Sequence, residues 1–143
     1  MFEIFQKEIQ LKPYSKGFHL ITSEITSALP ELSRYKTGLI NIFLQHTSAS
    51  LTINENADPT VRSDMKKYFE RSVPDNAAYY QHNYEGSDDM SAHIKSTITG
   101  CELTVPVTNG RLNLGTWQGI YLCEHRDHGG SRRLVITIYG DAK

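Results

Sequence analysis

The sequence predicts an α+β fold: a predominantly antiparallel β-sandwich or barrel-like core with about three helices packed on it. Several short segments alternate apolar and polar residues with the two-residue period of a half-buried strand. One pair of them is joined by Asn109-Gly110, the dipeptide that suits a tight hairpin because both central positions need positive φ. Helix signals interrupt the strands without the regular strand–helix alternation of a βαβ protein.

Taken in order, residues 3–11 form a strand with Phe5, Ile9 and Leu11 against polar neighbours. Thr22 caps a first helix with Ile25, Ala28, Leu29 and Leu32 on one stripe. Residues 39–46 return to strand, with Ile40, Ile42 and Leu44 inward. Asp58-Pro59 starts a second helix, since Asp accepts from free N–H groups and Pro fits the first helical position. Val61, Met65, Tyr68 and Phe69 follow it at helical spacing. The polar stretch 75–89 is a functional loop. A third helix starts near Asp89, carries Met90, Ile94 and Ile98 on its apolar stripe, and stops at Gly100. Strands at 103–107, 111–114, 118–124 and 132–140 complete the set. Pro106 marks the first of these as an edge or irregular strand.

The chain of 143 residues fits one domain, 1–143. A chain of this length buries roughly two-thirds of its unfolded surface and needs no staple to fold. Its formal net charge is -1, which gives no electrostatic grip on nucleic acid or anionic lipid. Cys101 and Cys123 are too far apart to read as a metal knuckle, and two thiols are not a disulfide framework. The charged N-terminal segment is not a signal peptide, and no run approaches the roughly 20 apolar residues of a membrane span. A cytoplasmic protein with reduced thiols is expected.

Candidate chemistry centres on three histidines. His46 ends the strand 39–46 on its inward side, and Thr47 and Ser48 follow in a hydroxyl-rich turn. It reads equally as a core histidine or a ligand. His82 lies in the polar loop, where alone it reads as merely solvated, and His93 borders the buried stripe of the third helix, where alone it reads as structural. Together they suggest three metal ligands with an open fourth position, as in catalytic zinc sites. Glu85, Asp88 and Asp89 would orient the imidazoles from behind. Asn54 and Glu55 precede the second helix, whose N-terminus suits an anion, although Asp58 itself is better read as a simple cap. Trp117 offers a flat wall for a heteroaromatic ring, or else packs in the core. Gln118 and Glu124 share strand parity and are expected to face one cavity. Arg126, Arg132 and Arg133 surround Gly129 and Gly130 in a turn that either cradles phosphate or is merely solvated. No P-loop, GxGxxG or GxSxG occurs, so a nucleotide cofactor is not expected.

The segments QHTSASLTINENADPTVRSDM, YYQHNYEGSDDMSAHIKS, GTWQGIYLCEHR and DHGGSRRLVITIYG closely resemble the YjbQ-like family, in order and spacing, from Gly17 to Gly140. The resemblance implies a β-rich sandwich that assembles as a homotrimer. It implies a secondary thiamine-phosphate synthase activity, joining hydroxymethylpyrimidine diphosphate to thiazole phosphate with release of pyrophosphate. It places the family's polar cluster on His46, Asn54, Glu55, His82, His93 and Gln118.

The expected function is therefore a transferase acting on a small phosphorylated heteroaromatic substrate. His46, His82, His93, Glu55 and Gln118 are the catalytic candidates, with the three histidines as metal ligands. Thr47, Ser48, Asn54, Trp117, Glu124, Arg126 and Arg132 are the substrate-binding candidates. The divalent metal is zinc by ligand type and magnesium by reaction type. In the trimer the site lies at or near the subunit interface, with the 75–89 loop bringing His82 beside a neighbour's His46. The alternative is a non-catalytic module that binds a metal or a phosphorylated metabolite.

Overall fold

A computed structural model describes residues 1–143. Eight strands form two antiparallel sheets. In chain order they are β1 (Phe2–Gln10), β2 (Gly17–Leu20), β3 (Tyr35–Leu44), β4 (Ala49–Glu55), β5 (Glu102–Thr108), β6 (Arg111–Leu112), β7 (Gln118–Glu124) and β8 (Arg133–Ala142). The larger sheet has the order β1-β8-β3-β5-β6, the smaller β2-β7-β4. Neither closes into a barrel. The helices are α1 (Thr22–Ser27), α2 (Pro59–Ser72) and α3 (Asp89–Thr99), with a 3-10 turn at Pro30–Arg34. No helix is long and apolar enough to cross a membrane.

Strand alternation builds the core. Ile40, Ile42 and Leu44 of β3 and Leu134, Ile136 and Ile138 of β8 are buried, as their period predicts. Val105 and Val107 of β5 join them, and Ala49, Leu51, Ile120 and Leu122 face them from the smaller sheet. Each such side chain contributes about 1.5–3 kcal/mol by leaving water. A second apolar layer covers the other face of the smaller sheet. There Phe18, Tyr121 and Cys123 meet Met65 and Phe69 of α2, while α3 packs along β4. The outer face of the larger sheet has no cover, and Leu39 and Phe43 are exposed on it. The hairpin between β5 and β6 turns at Asn109 and Gly110, both with positive φ.

Four expectations need correction. Strands β2 and β4 are missing from the sequence reading. Ser, Thr and Asn in residues 47–56 suggested turns, yet Ala49, Leu51 and Ile53 alternate with Ser50, Thr52 and Asn54 as a strand requires. The first helix is cut short because Pro30 lacks an amide hydrogen and disfavours helical geometry at Leu29. Thr22 does not cap it; its hydroxyl accepts from the Ile120 amide. On α3 the buried residues are Asp89, Ser91, Ala92 and Lys95, while Ile98 is exposed. A polar stripe, not the apolar one, faces the protein.

One contact sets the spacing of β3 and β8. Gly38 and Gly140 are partners across the ladder. A Cβ on Gly140 would come within 2.2 Å of the Thr37 carbonyl, and one on Gly38 within 2.5 Å of the Tyr139 carbonyl. Gly140→Ala is expected to cost about 1–3 kcal/mol. Urea unfolding measures this, and an unchanged midpoint would show that the strands part without cost.

Candidate functional site

The predicted residues separate into two groups at opposite ends of the smaller sheet. β4 and β7 run antiparallel, with Ala49 opposite Glu124 at one end and Glu55 opposite Gln118 at the other. Six residues of strand separate the ends by roughly 20 Å.

The first end holds the charged centre. Asp89 and His93 are one helical turn apart on α3, so their side chains emerge on one face. His82, from the loop before α3, closes on them within the same chain. Asp89 Oδ2 lies 2.6 Å from His82 Nε2 and 3.0 Å from His93 Nε2. Ligand atoms of the three residues lie within 4.8 Å of one another. His93 Nδ1 donates to the Thr47 carbonyl at 2.9 Å. A carbonyl only accepts, so in the neutral ring Nε2 is a bare lone pair facing a carboxylate oxygen. Only a proton or a metal cation between them makes that contact favourable.

The other carboxylate oxygen is anchored. Arg126 donates to Asp89 Oδ1 at 2.7 Å, to Asp88 Oδ1 at 3.1 Å and to the Glu85 carbonyl at 2.7 Å. Burial alone would raise the Asp89 carboxyl, but His82, His93 and Arg126 outweigh it and hold the group below its ordinary range. Asp88 is likewise held low against its burial, through the Asp127 amide, Arg126 and Lys16.

His46 stands apart from the metal-type set. Its Nε2 accepts from the Arg133 amide at 2.9 Å, so Nδ1 carries the hydrogen in the neutral ring. Arg132 Nη1, 3.4 Å from Nδ1, then meets a donor. Desolvation, with the Arg132 and Arg133 charges, pushes this imidazole below its usual value. Its lone pair is taken by the Arg133 amide, and the cluster of His82, Asp89 and His93 does not include it. His46 does share a shallow, solvent-open groove of about 610 Å³ with Thr47, His93, Ser96 and Thr97.

The two arginines are committed to carboxylates. Arg132 is buried and binds Glu124 through two bonds of 2.8 and 2.6 Å. It also donates to the Ser48 hydroxyl and carbonyl at 3.0 and 3.2 Å. A Cβ on Gly129 would sit 2.4 Å from Glu124 Oε1, so only glycine lets the turn pass over this pair. The expected cradle for phosphate is therefore already filled by the protein's own acids.

At the far end, Gln118 accepts from the Gly115 amide and Glu55 from the Asp58 amide, at 2.8 and 3.0 Å. Asn54 accepts from the next amide in the chain. Trp117 lies in the turn before β7 and is 66% exposed, neither core nor wall of an enclosed pocket. Gln118 and Glu124 do not face one cavity: Gln118 is exposed, and Glu124 is buried at the opposite strand end.

A family model for UPF0047 protein YjbQ-like sequences matches residues 7–141. The chain belongs to this family. The UPF0047 protein YjbQ of Salmonella typhimurium is 57% identical over 137 residues, covering 96% of this chain and 99% of that one. UPF0047 protein sll1880 of Synechocystis is 42% identical over 140 residues, covering 98% and 95%. Among solved structures, a YjbQ/UPF0047 protein from Clostridium acetobutylicum superposes with a TM-score of 0.80 at 37% identity, covering 92% and 98%. A protein of unknown function from Sulfolobus solfataricus shares the fold, with a TM-score of 0.84 at 23% identity, covering 99% and 100%. These UPF0047 relatives carry no activity in their names.

Sequence reasoning missed two features of this UPF0047 chain. Asp89 was read as a supporting acid, although Asp and His four apart on one helix are the visible signature of a shared face. His125 was passed over. It continues the outward parity of Tyr121 and Cys123 beyond β7, and its Nε2 lies 2.7 Å from Ser50 Oγ. Burial, then the Lys95, Arg132 and Lys16 charges, push it down to about 3. The folded state thus stays neutral where the unfolded chain takes up a proton. Stability is full above the unfolded value of about 6.5 and falls as pH drops toward about 3. His125→Asn is expected to flatten the fall in unfolding free energy between about pH 6.5 and pH 4. Denaturation curves across that range measure the slope; an unchanged slope would exclude His125 as a source.

Proposed function

We propose that this UPF0047 protein is a metal-dependent enzyme acting on a small phosphorylated substrate, with His82, Asp89 and His93 as the metal ligands. The observation that carries the reading is the cluster itself: His82, Asp89 and His93 present ligand atoms within 4.8 Å of one another, and Nε2 of His93 faces Asp89 Oδ2 in a contact that a proton or a metal cation satisfies. Two imidazoles and one carboxylate leave positions open for substrate and suit zinc, manganese or iron-type ions better than magnesium. Bound there, the metal would supply Lewis acidity toward a phosphoryl oxygen. The chain's own residues would do the rest. Arg126 fixes the Asp89 carboxylate, the Thr47 carbonyl fixes the His93 tautomer, and neutral His46 offers its Nδ1–H to a group in the adjoining groove.

The named reaction is thiamine-phosphate synthesis from hydroxymethylpyrimidine diphosphate and thiazole phosphate, in line with the family resemblance. Metal analysis of protein prepared without a polyhistidine tag is expected to find about one divalent ion per chain. His82→Ala, Asp89→Asn and His93→Ala should each weaken it by roughly tenfold or more. Assays with both precursors and a series of divalent ions then test turnover. Saturable metal binding with no product at high enzyme concentration would favour the non-catalytic binding module instead.

The family resemblance further implies a homotrimer, in which the two separated ends of the sheet can meet across copies. Trp117 and Gln118 can meet the histidine centre only on a neighbouring copy. Light scattering should give about three times the chain mass, and a monomer would remove this part of the reading. Mixed refolding of His93→Ala with Trp117→Ala chains should restore some activity, because some interfaces then join two intact ends. No recovery, with mixing confirmed, would confine each site to one chain.

A further inference from the structure

Lys95 sits on α3 almost half a turn around the helix from His93, facing the smaller sheet and away from the histidine centre. It is 3% exposed. Its Nζ forms no hydrogen bond and no ion pair, although every other buried charged side chain in the chain has a partner. Lys95 lines a small cleft, partly open to solvent, between β2, α2 and α3.

The other charges on this cleft are already balanced. Lys16 is shared by Asp75, Asp127 and Asp88 at 3.2, 3.5 and 3.7 Å. Lys66 reaches Glu70 at 4.0 Å. Glu124 is neutralised by Arg132, and His125 stays uncharged. Lys95 alone has no direct partner, Asp75, Glu70 and Asp88 acting on it only from a distance, with the His125 ring beside it and Phe18 and Phe69 as apolar walls. The enclosed space has room for about one water-sized group, so a single anionic oxygen fits in it and the rest of the ligand stays in solvent.

We infer that this cleft is an oxyanion subsite, in which one oxygen of a phosphate group pairs with Lys95. It is separate from the histidine centre and does not depend on a metal there. The phosphate could be the free ion or the terminal group of a phosphomonoester; the chemistry at Lys95 is the same.

Lysine-selective ¹⁵N labelling of the whole protein gives the test, with inorganic phosphate and methyl phosphate as probes. The Lys95 Nζ resonance, identified by its loss in Lys95→Met, should shift saturably with either probe. Tighter binding of methyl phosphate would assign the ester as ligand, and tighter binding of phosphate the free ion. Calorimetry should show affinity falling roughly tenfold or more in Lys95→Met and largely kept in Lys95→Arg. Metal binding by Lys95→Met should match the parent protein, which separates this site from the one proposed above. If Lys95→Met does not fold, Lys95→Arg identifies the resonance by the same loss, and the titration of the parent protein carries the test. Linear shifts confined to exposed lysines, or a Lys95 signal indifferent to both probes, would overturn the assignment and leave a buried water as the partner.

Discussion

The arrangement of the charged end depends on the buried pair of Glu124 and Arg132. One closes β7 and the other immediately precedes β8, so the pair ties a strand of each sheet together where the sandwich would otherwise open. The same guanidinium holds Ser48 in the turn before β4, and Glu124 also accepts from the Arg126 amide at 3.1 Å. That second bond fixes the start of the segment from which Arg126 reaches Asp88 and Asp89. His46 is held beside the pair by the amide of the next residue, Arg133. A pair this deeply buried is costly to form and costlier to break, since either partner alone would be an uncompensated charge. Its two bonds satisfy both groups at once, which is the geometry in which such a pair is tolerated.

From that anchor the chemistry becomes a matter of which atoms remain free. Asp89 spends one oxygen on Arg126 and turns the other toward two imidazoles. His93 spends Nδ1 on a backbone carbonyl and keeps Nε2. Each second partner removes a degree of freedom and leaves one lone pair aimed at one point. The glycine-rich turn contributes nothing to that point directly. Gly129 is there because the Glu124 carboxylate occupies the space a side chain would need.

Much of the fold was legible because strand alternation reports burial directly. β1, β3, β5, β7 and β8 follow from their apolar period, and the Asn109-Gly110 turn from its backbone demand. β4 was hidden by residues that favour turns in isolation and become strand formers only when β7 lies beside them. The buried face of α3 was misread because its partners are charges. Asp89 and Lys95 are buried by the tertiary structure, and nothing in an apolar period announces that. The histidines were legible as a group, but hydrogen-bond bookkeeping separates His46 from the other two, and that depends on where the Arg133 amide lies. Trp117 and Gln118 share β7 or its approach with Glu124, and parity gave their faces but not the distance between strand ends.

β7 carries a core residue at every second position between Gln118 and Glu124. Gaining or losing one residue in that strand would turn Ile120 and Leu122 out of the core and Glu124 away from Arg132 in the same step. A register slip here therefore breaks the core and the buried ion pair together, and the hydrophobic core itself holds the two ends of the sheet at a fixed separation. Descendants of this chain can retune either end by substitution. They cannot slide one toward the other without first giving up the fold.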